Sequence, residues 1–553
     1  MALDNPPQEH AKAILAVFQE SEAADMEFST GMLAQSIEDE LPDSVDYSGI
    51  EVVAYLTDTQ LVEIKHDKLD GFDSELFHTV FGIPMPFNPP EDAGTGELAH
   101  EFAKWLHKEK MVMPVLMDEI HDPEDSLIFC YDSERRVWNK NGEIVLQDFI
   151  GDELPERNGH SFRKRVQRAL CMECYDLFDE MGLSTKQIAV QDGLLDFESN
   201  EVRDIEPSDK VLNRLPVSFH DMPEDYPEEW IDFLERSTQD EAAMMTLQEF
   251  VGYSLMHWTR KHGKMLMLLG PTRTGKSTFL NVVEELLGGS SNVSNQPLED
   301  LCSESSMGRW TPRHLQGKLA NIHPDLDGDK IERVGRAKNL TEDGESINAE
   351  RKGVSHYEIE PNAKHMYAAN SAPSVGNRED AFFNRFLTIR FENQIPREEQ
   401  DEDLEDKLTK PEVLNGIFKW ALDGMKRLQE QGEFTRELSA LANRELFSMY
   451  DSGPKKFVHE ACEFKHKADK QDRSEHTWKI DSDTLHELYE EWARRRATHK
   501  LCGRSQFSRE VRDIPNVHKA RLRVDGSQVR GFSGIRVKDG FHVERMKDEG
   551  GDL

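Results

Sequence analysis

The chain has 553 residues, with 67 Lys and Arg against 106 Asp and Glu, so its formal net charge is −39. This length predicts about two to four domains rather than a single core. No run reaches the roughly 18 apolar residues of a membrane span, and the first thirty residues lack the basic start and apolar segment of a secretory signal. We therefore expect a cytoplasmic protein with no membrane partner.

The acidity is uneven along the chain. Residues 491–540 contain 13 Lys and Arg and 5 Asp and Glu, a net charge of +8, which leaves −47 for the remainder. A uniformly acidic protein would avoid nucleic acid, because neutralisation of phosphates supplies most non-specific affinity. The basic C-terminal island favours a second interpretation, in which the protein comes from a salt-rich halophile cytoplasm and makes local DNA contacts.

Hydrophobic periodicity and turn signals predict a multidomain α/β protein with five segments. The first is acidic, the second helical with short strands, the third an alternation of strands and helices, the fourth a charged helical connector, and the last a winged-helix-like domain. These segments are 1–95, 96–237, 238–398, 399–450 and 451–553. In the last segment we expect three helices followed by a strand pair, Ala520–Val524 with Gly534–Val537, an order typical of a winged helix.

A phosphate-binding loop is predicted in the third segment, because the pattern G-x-x-x-x-G-K-[ST] stands between an apolar strand and a helix with apolar spacing. Its glycines let backbone N–H groups surround phosphates at the start of a helix. The lysine reaches the β- and γ-phosphates and the serine holds Mg²⁺, so ATP and Mg²⁺ are the expected ligands. The predicted ATP-binding residues are Gly270, Pro271, Thr272, Arg273, Thr274, Gly275, Lys276, Ser277 and Thr278.

Three downstream residues fit the remaining catalytic roles of such a site. Asp325 follows a short strand and is placed to position Mg²⁺ or the attacking water, although polar residues interrupt that strand and a loop stays possible. Asn370 ends a further strand and is placed to bond the γ-phosphate or the water. Arg385 precedes the final strand, where it is either an arginine finger for a neighbouring subunit or the partner of Asp380 in a surface ion pair.

The order of these motifs resembles the superfamily 3 helicases, in the branch of phage and plasmid P4-type primase-helicases and poxvirus D5-like proteins. Besides the loop, the resemblance rests on Lys338-Asn-Leu-Thr341 and Gly344-Glu345-x-Ile347-x-Ala349-Glu-Arg-Lys352-Gly353. It implies an AAA+-like ATPase core, a helical D5-type region before it, and assembly as a homo-hexamer.

The resemblance also implies residue roles. Asp325 becomes the Walker B acid, Asn370 the sensor and Arg385 the finger that acts across a subunit interface. Residues 350–356 form a hairpin that carries DNA-binding side chains into a central pore: Arg351, Lys352 and His356.

The C-terminal island supplies further candidate DNA contacts. Arg494, Arg495 and Arg496 follow one another on a predicted helix, beside a predicted wing, and this combination favours DNA binding. A solvated helix face is the alternative.

The leading hypothesis is an ATP-dependent DNA helicase that translocates on single-stranded DNA during replication of a viral, plasmid or integrated element of a halophilic archaeon. A separate primase or polymerase is a possible partner. Three alternatives stay open: a motor for DNA packaging or remodelling, a primase-helicase, and an origin-binding initiator that uses ATP as an assembly switch. Residues 1–95 are short for a primase domain, and no strand there ends in the Asp-x-Asp that a primase needs.

Overall fold

The computed structural model describes residues 87–538 with gaps, and only short segments before residue 87. The gaps are 91–92, 117–125, 158, 179–180, 183–184, 327–329, 351–356, 371, 376–379, 396–399, 452, 465–477, 497–500, 515–516 and 525–526. Within the described part, none of the helices has the length and apolar character needed to cross a membrane. The chain divides into two compact units, the first formed by 1–115, 122–131 and 139–176, and the second by the remaining residues.

The first unit contains a small helical layer. Up to residue 177 the elements are β1 (Val62–Lys65), β2 (Lys68–Phe72), α1 (Thr95–Lys110), β3 (Val112–Leu116), β4 (Leu127–Asp132), β5 (Val137–Asn139), α2 (Gly142–Glu153), α3 (His160–Glu173) and β6 (Asp176–Leu177). Helices α1 and α3 share a core that contains Phe102, Leu106, Phe162 and Val166. The helices and short strands predicted for the segment that begins at residue 96 are confirmed in this part of the chain.

The second unit begins with a three-stranded antiparallel sheet and two helices. The elements are β7 (Gln187–Val190), β8 (Gly193–Asp196), β9 (Glu201–Arg203), α4 (Glu228–Thr238) and α5 (Glu241–Leu255). Helix α5 begins at a capping residue, because the Asp240 carboxylate accepts a hydrogen bond from the Ala243 N–H.

A five-stranded parallel sheet forms the centre of the second unit, and its strand order is β11-β12-β16-β10-β18. Its elements and their neighbours are β10 (Met265–Leu269), α6 (Lys276–Leu286), β11 (Val293–Ser294), α7 (Leu298–Leu301), α8 (Met307–Trp310), β12 (Ala320–His323), β13 (Lys330–Ile331), α9 (Val334–Thr341), β14 (Ile347–Ala349), β15 (Tyr357–Ile359), β16 (Lys364–Ala369), β17 (Ser374–Val375), α10 (Asp380–Phe383) and β18 (Phe386–Arg390). The predicted alternation of strands and helices is confirmed.

Strand β10 lies in the middle of this sheet and is buried on both faces. Leu266 and Leu268 pack into one core, which also receives side chains from α4, α5 and α6. Met265, Met267 and Leu269 pack into a second core on the opposite face. A strand covered on both faces has no polar side, which explains its unbroken apolar run.

Strand β12 settles the alternative that the sequence left open before Asp325, because residues Ala320–His323 pair in parallel with β16. Asn321 is fully buried, yet its side chain is satisfied. It accepts from the Gln296 N–H at 2.8 Å and donates to the Gln296 carbonyl at 2.9 Å. The polar residue is thus tolerated because it bonds to backbone groups of the neighbouring segment.

Strands β14 and β15 form a two-stranded antiparallel ladder in which Ala349 pairs with Tyr357. This pairing agrees with the predicted hairpin. Residues 351–356, which include Arg351, Lys352 and His356, lie outside the described residues.

Helices follow the parallel sheet, as predicted for the connector. They are α11 (Leu404–Leu408), α12 (Pro411–Gln431) and α13 (Ala440–Asp451). Phe418 of α12 belongs to the first core of the sheet, and Phe447 of α13 to the second. The two helices therefore cover opposite faces of the parallel sheet.

The C-terminal region has its own hydrophobic core. Its elements are α14 (Gly453–Ala461), β19 (Cys462–Phe464), β20 (Lys479–Asp481), α15 (Ser482–Arg496), α16 (Arg504–Arg512), β21 (His518–Val524), β22 (Ser527–Ser533) and β23 (Ile535–Val537). The three predicted helices and the two predicted strands are confirmed, but the predicted pairing of these strands is wrong. Strand β21 pairs with β22, while β23 pairs with β19.

Candidate functional site

The loop between β10 and α6 contains two glycines, Gly270 and Gly275, at which a larger residue would force neighbouring atoms to move. A Cβ at Gly270 would lie 1.8 Å from the Phe391 carbonyl oxygen, because the loop runs against the end of β18. Gly275 has a φ of +90° and lies against the Phe233 ring, which a Cβ would meet at 2.8 Å. The glycines of the motif are therefore explained by close packing and by a left-handed backbone.

The chain that follows β18 supports the loop from outside. The Gln394 side chain donates to the Thr272 carbonyl at 3.2 Å, and the Ile395 N–H donates to the Arg273 carbonyl at 3.1 Å. Arg273 itself has a φ of +64°. These bonds fix the loop in a curved form.

An open cleft of about 480 Å³ lies over this loop. The register of the sheet explains its place, because the carboxyl ends of β12, β16 and β10 meet at one edge. Ligands of parallel α/β sheets bind at that edge. The residues that line the cleft are Thr272, Arg273, Thr274, Gly275, Lys276, Ser277, Thr278, Asn281, Pro324, Asp325 and Asn370.

Lys276 is buried at the bottom of the cleft, and its ammonium group donates to oxygens of the loop and of the next strand end. The Nζ atom lies 2.9 Å from the Gly270 carbonyl, 2.6 Å from the Pro271 carbonyl and 3.2 Å from the Asn370 Oδ1 atom. Burial and the nearby Lys456 ammonium lower the pKa of Lys276 to about 8, while Asp325 acts in the opposite direction. The site therefore disfavours the charged form of Lys276, although the side chain still carries its proton at neutral pH.

Asp325 and Asn370 enter the cleft from neighbouring strand ends. Asp325 follows β12 with an exposed side chain. Its place is fixed by the next residue, since the Leu326 N–H donates to the Ala368 carbonyl at 2.9 Å. Asn370 directly follows β16. The structure therefore brings together Lys276, Ser277, Asp325 and Asn370, which the sequence had predicted as members of one site.

Lys456 is a member of this neighbourhood that the sequence reasoning missed. It lies on α14, and its Nζ atom donates to the Asn370 backbone oxygen at 3.2 Å. Nothing in the local sequence around Lys456 indicates this contact, because the residues are far apart in the chain and no motif contains both.

Arg385 lies away from the cleft. It precedes β18, so it stands at the amino edge of the strand whose carboxyl end borders the loop. Its guanidinium group forms an ion pair with Glu342 at 2.9 Å. The suggested partner Asp380 instead lies 3.5 Å from Arg444. A role in the cleft of the same chain is therefore excluded for this arrangement, and action on a neighbouring subunit stays a prediction.

The candidate DNA-binding residues are only partly described. Arg494 is exposed on α15 and lies 3.1 Å from Glu490, one helical turn earlier. The side chains of Arg495 and Arg496 lie outside the described residues. Elsewhere on this region, Arg504 of α16 pairs with Asp483 at 3.2 Å.

Comparison with known proteins gives one family match. A family model with the description "Family of unknown function (DUF5906)" matches residues 268–385. No curated protein matches the chain. The matched segment runs from β10 to the residue before β18, and so contains Lys276, Asp325 and Asn370.

Solved structures similar to the chain include the following two. One is the apo structure of the NrS-1 C terminal region, with 11% identity, a TM-score of 0.39, and coverage of 80% of this chain and 100% of that chain. Another is the A form apo structure of the NrS-1 C terminal region, with 14% identity, a TM-score of 0.36, and coverage of 76% and 96%.

Proposed function

We propose that this chain hydrolyses ATP in the cleft over residues 270–278 and uses the energy to unwind DNA during replication. One observation carries the proposal. A phosphate-type loop, an acid and an amide meet at one edge of a parallel sheet, and the loop lysine already donates to that amide. This is the set of groups that phosphoryl transfer requires: a phosphate cradle, a cation, a metal-binding acid and a polar group for the water.

The loop and Lys276 would bind the triphosphate. Backbone N–H groups at the start of α6 face the cleft, and the helix dipole favours negative charge there. The Lys276 ammonium now bonds to carbonyl oxygens of its own loop, and phosphate oxygens would replace these acceptors. Because a charged acceptor forms a stronger bond than a carbonyl, this exchange favours binding.

The cleft has the oxygen donors that Mg²⁺ needs. The Ser277 hydroxyl and the Asp325 carboxylate both line it. Among the described residues no cluster of three or more His, Cys, Asp or Glu could hold a metal alone. Mg²⁺ is commonly bound by one or two protein oxygens together with substrate phosphates. Bound in this way, the ion would neutralise charge on the phosphates, while Asn370 and Asp325 orient the attacking water.

The finer assignment is a ring helicase of the superfamily 3 type. Several features support it: the parallel sheet order, the β14–β15 ladder that flanks Lys352, and the position of Arg385 at the edge opposite the loop. In a homo-hexamer, the Arg385 guanidinium would leave its ion pair with Glu342 and bind a phosphate of the nucleotide in the neighbouring subunit. The three helices and the antiparallel β20-β22-β21 sheet would act as a winged-helix-like domain that binds DNA through its basic residues.

The first test is nucleotide binding and hydrolysis by Lys276→Ala. We expect the wild type to hydrolyse ATP with Mg²⁺ in molar KCl, and the variant to lose at least about a hundredfold in rate, because the principal charge on the phosphates is removed. Lys318→Met is the matched control. Lys318 is partly buried and, like Lys276, donates to backbone carbonyls, in this case those of Ser290 and Ser291. It lies before β12 and does not line the cleft. Equal hydrolysis by wild type and Lys276→Ala would contradict the proposal.

Strand displacement with Lys352→Ala separates the helicase from its alternatives. The helicase predicts displacement by the wild type, and basal hydrolysis without displacement in the variant. Hydrolysis without any displacement by the wild type would instead support a packaging motor or an initiator. Displacement by the Lys352 variant at the normal rate would remove the pore-hairpin role.

A further inference from the structure

Two lysines from distant parts of the chain donate to one residue beside the cleft. Lys276 donates to the side-chain oxygen of Asn370, and Lys456 donates to its backbone oxygen, each at 3.2 Å. Lys456 is buried, with a relative exposure of 8%. Because Asn370 directly follows β16 and is bonded on both sides, a shift of either ammonium group alters its position.

The helix that carries Lys456 belongs to the hydrophobic core of the C-terminal region. The Phe457 ring, next in sequence, lies 5.7 Å from the ring of Trp492 and 6.3 Å from that of Phe507. Trp492 lies on α15, which also carries Arg494, and Phe507 lies on α16. Lys456 therefore contacts a residue of the cleft, and the adjacent Phe457 contacts the core of the predicted DNA-binding region.

Two lysine ammonium groups donate to oxygens of Asn370. The positive charge of Lys456 contributes to the low pKa of Lys276. Asp325 is the acid that opposes this effect. A phosphate group bound beside Lys276 would interact favourably with both cations. A triphosphate brings more negative charge to this end of the loop than a diphosphate does.

We propose that Lys456 is a positioning residue by which the C-terminal region distinguishes a nucleoside triphosphate from a diphosphate, through the positive charge that its hydrogen bond to Asn370 holds beside the cleft. This inference rests on the proposed function, since it needs a nucleotide in the cleft. When the terminal phosphate is present, it draws Lys276 and Asn370 towards it, and Lys456 follows with α14. When the phosphate leaves, the contact relaxes and the C-terminal helices change position on DNA.

A purely structural role is the competing explanation. In that case Lys456 only fastens α14 to the sheet, and its removal lowers stability without altering nucleotide preference. Two substitutions separate the charge from the hydrogen bond: Lys456→Gln keeps a donor for the Asn370 oxygen but has no charge, and Lys456→Arg keeps both. Lys318→Met again controls for loss of a partly buried lysine.

The experiment measures nucleotide binding and DNA binding by the full-length protein. Nucleotide binding is measured with a non-hydrolysable ATP analogue and with ADP. Lys456→Gln should bind the analogue about tenfold more weakly, since a charged partner contributes about that much, while its ADP affinity changes less than about threefold. Lys456→Arg should keep the wild-type ratio, and so should Lys318→Met.

DNA binding is measured with a single-stranded oligonucleotide in the presence of each nucleotide. The wild type should bind DNA differently with the analogue and with ADP, and Lys456→Gln should lose most of that difference. A lower Tm with an unchanged nucleotide ratio would overturn the inference and establish the structural role. If Lys276→Ala also binds the analogue as tightly as the wild type, the proposed function itself fails, and that outcome is independent of Lys456.

Discussion

At the scale of single residues, the charge of Lys276 is central to the chemistry proposed for the cleft. Its ammonium group donates to the loop carbonyls, and burial together with Lys456 lowers its pKa to about 8. Asp325 is the facing acid, and Asn370 is uncharged. A lysine with this pKa begins to lose its proton only slightly above physiological pH.

The low pKa predicts a pH dependence of ATP binding. A bound phosphate raises the pKa of Lys276, so the complex holds a proton that the free protein loses above about pH 8. The affinity should therefore be flat from pH 7 to about 8 and then fall, by up to about tenfold for each further pH unit. Titration calorimetry between about pH 7 and 9.5 measures this. Lys276→Met should bind more weakly and without the slope, and a wild-type profile that stays flat over the whole range would contradict the account.

Residues of the cleft differ in how far the sequence could predict them. Lys276 and Ser277 belong to one continuous motif, and Asp325 and Asn370 each follow a strand, so local patterns were enough. Lys456 could not be predicted, because its role depends on how a helix of the C-terminal region packs. The predicted action of Arg385 on a neighbouring subunit is not tested by a single chain, because a single chain contains no subunit interface.

At the scale of elements, the crossing of α5 and α12 depends on two glycines. A Cβ at Gly252 would lie 2.4 Å from the Met425 nitrogen, and one at Gly424 would lie 2.3 Å from the Gln248 carbonyl oxygen. The same crossing buries Glu249 completely, with its carboxylate 2.7 Å from the Arg427 guanidinium. Close backbones and a buried ion pair together fix how these helices meet beside the sheet.

Gly424→Ala should therefore destabilise the protein, while a second helical glycine provides the control. The new methyl group meets backbone atoms that cannot move aside, so we expect a cost of about 2 kcal/mol or more. At Gly335 of α9, a Cβ would have no neighbouring atom within 4 Å. Gly335→Ala should be neutral or stabilise by up to about 1 kcal/mol. Thermal unfolding compares the two, and equal Tm values would show that the helices are not in close contact.

The elements also show where pattern reading succeeds and fails. Strand β10 was predictable from its unbroken apolar run. Strand β22 was missed, because Ser527–Ser533 contains only two apolar side chains, Val529 and Phe532, and its Ser, Gln and Gly residues resemble a loop. A Cβ at Gly531 in this strand would lie 2.4 Å from the Ile480 carbonyl oxygen. Tertiary packing, rather than local propensity, therefore accounts for the glycine in this strand.

At the scale of the whole molecule, the two proposed activities occupy different parts of the second unit. The cleft lies at the carboxyl edge of the parallel sheet, and the basic residues lie in the C-terminal region, within a chain whose net charge is −39. Helix α14 joins them through Lys456 and Phe457. This arrangement predicts that DNA contacts are local, and that they depend on the nucleotide in the cleft.

The most direct measurement of the central claim is steady-state ATP hydrolysis by the wild type and by Asp325→Asn, with ATP binding measured in parallel. The amide keeps the size of the side chain but removes the charge that we propose holds Mg²⁺ and orients the water. We predict that binding changes by less than about fivefold, while hydrolysis falls at least about a hundredfold, because the lost interaction belongs to the transition state. Hydrolysis by Asp325→Asn at the wild-type rate would contradict the account.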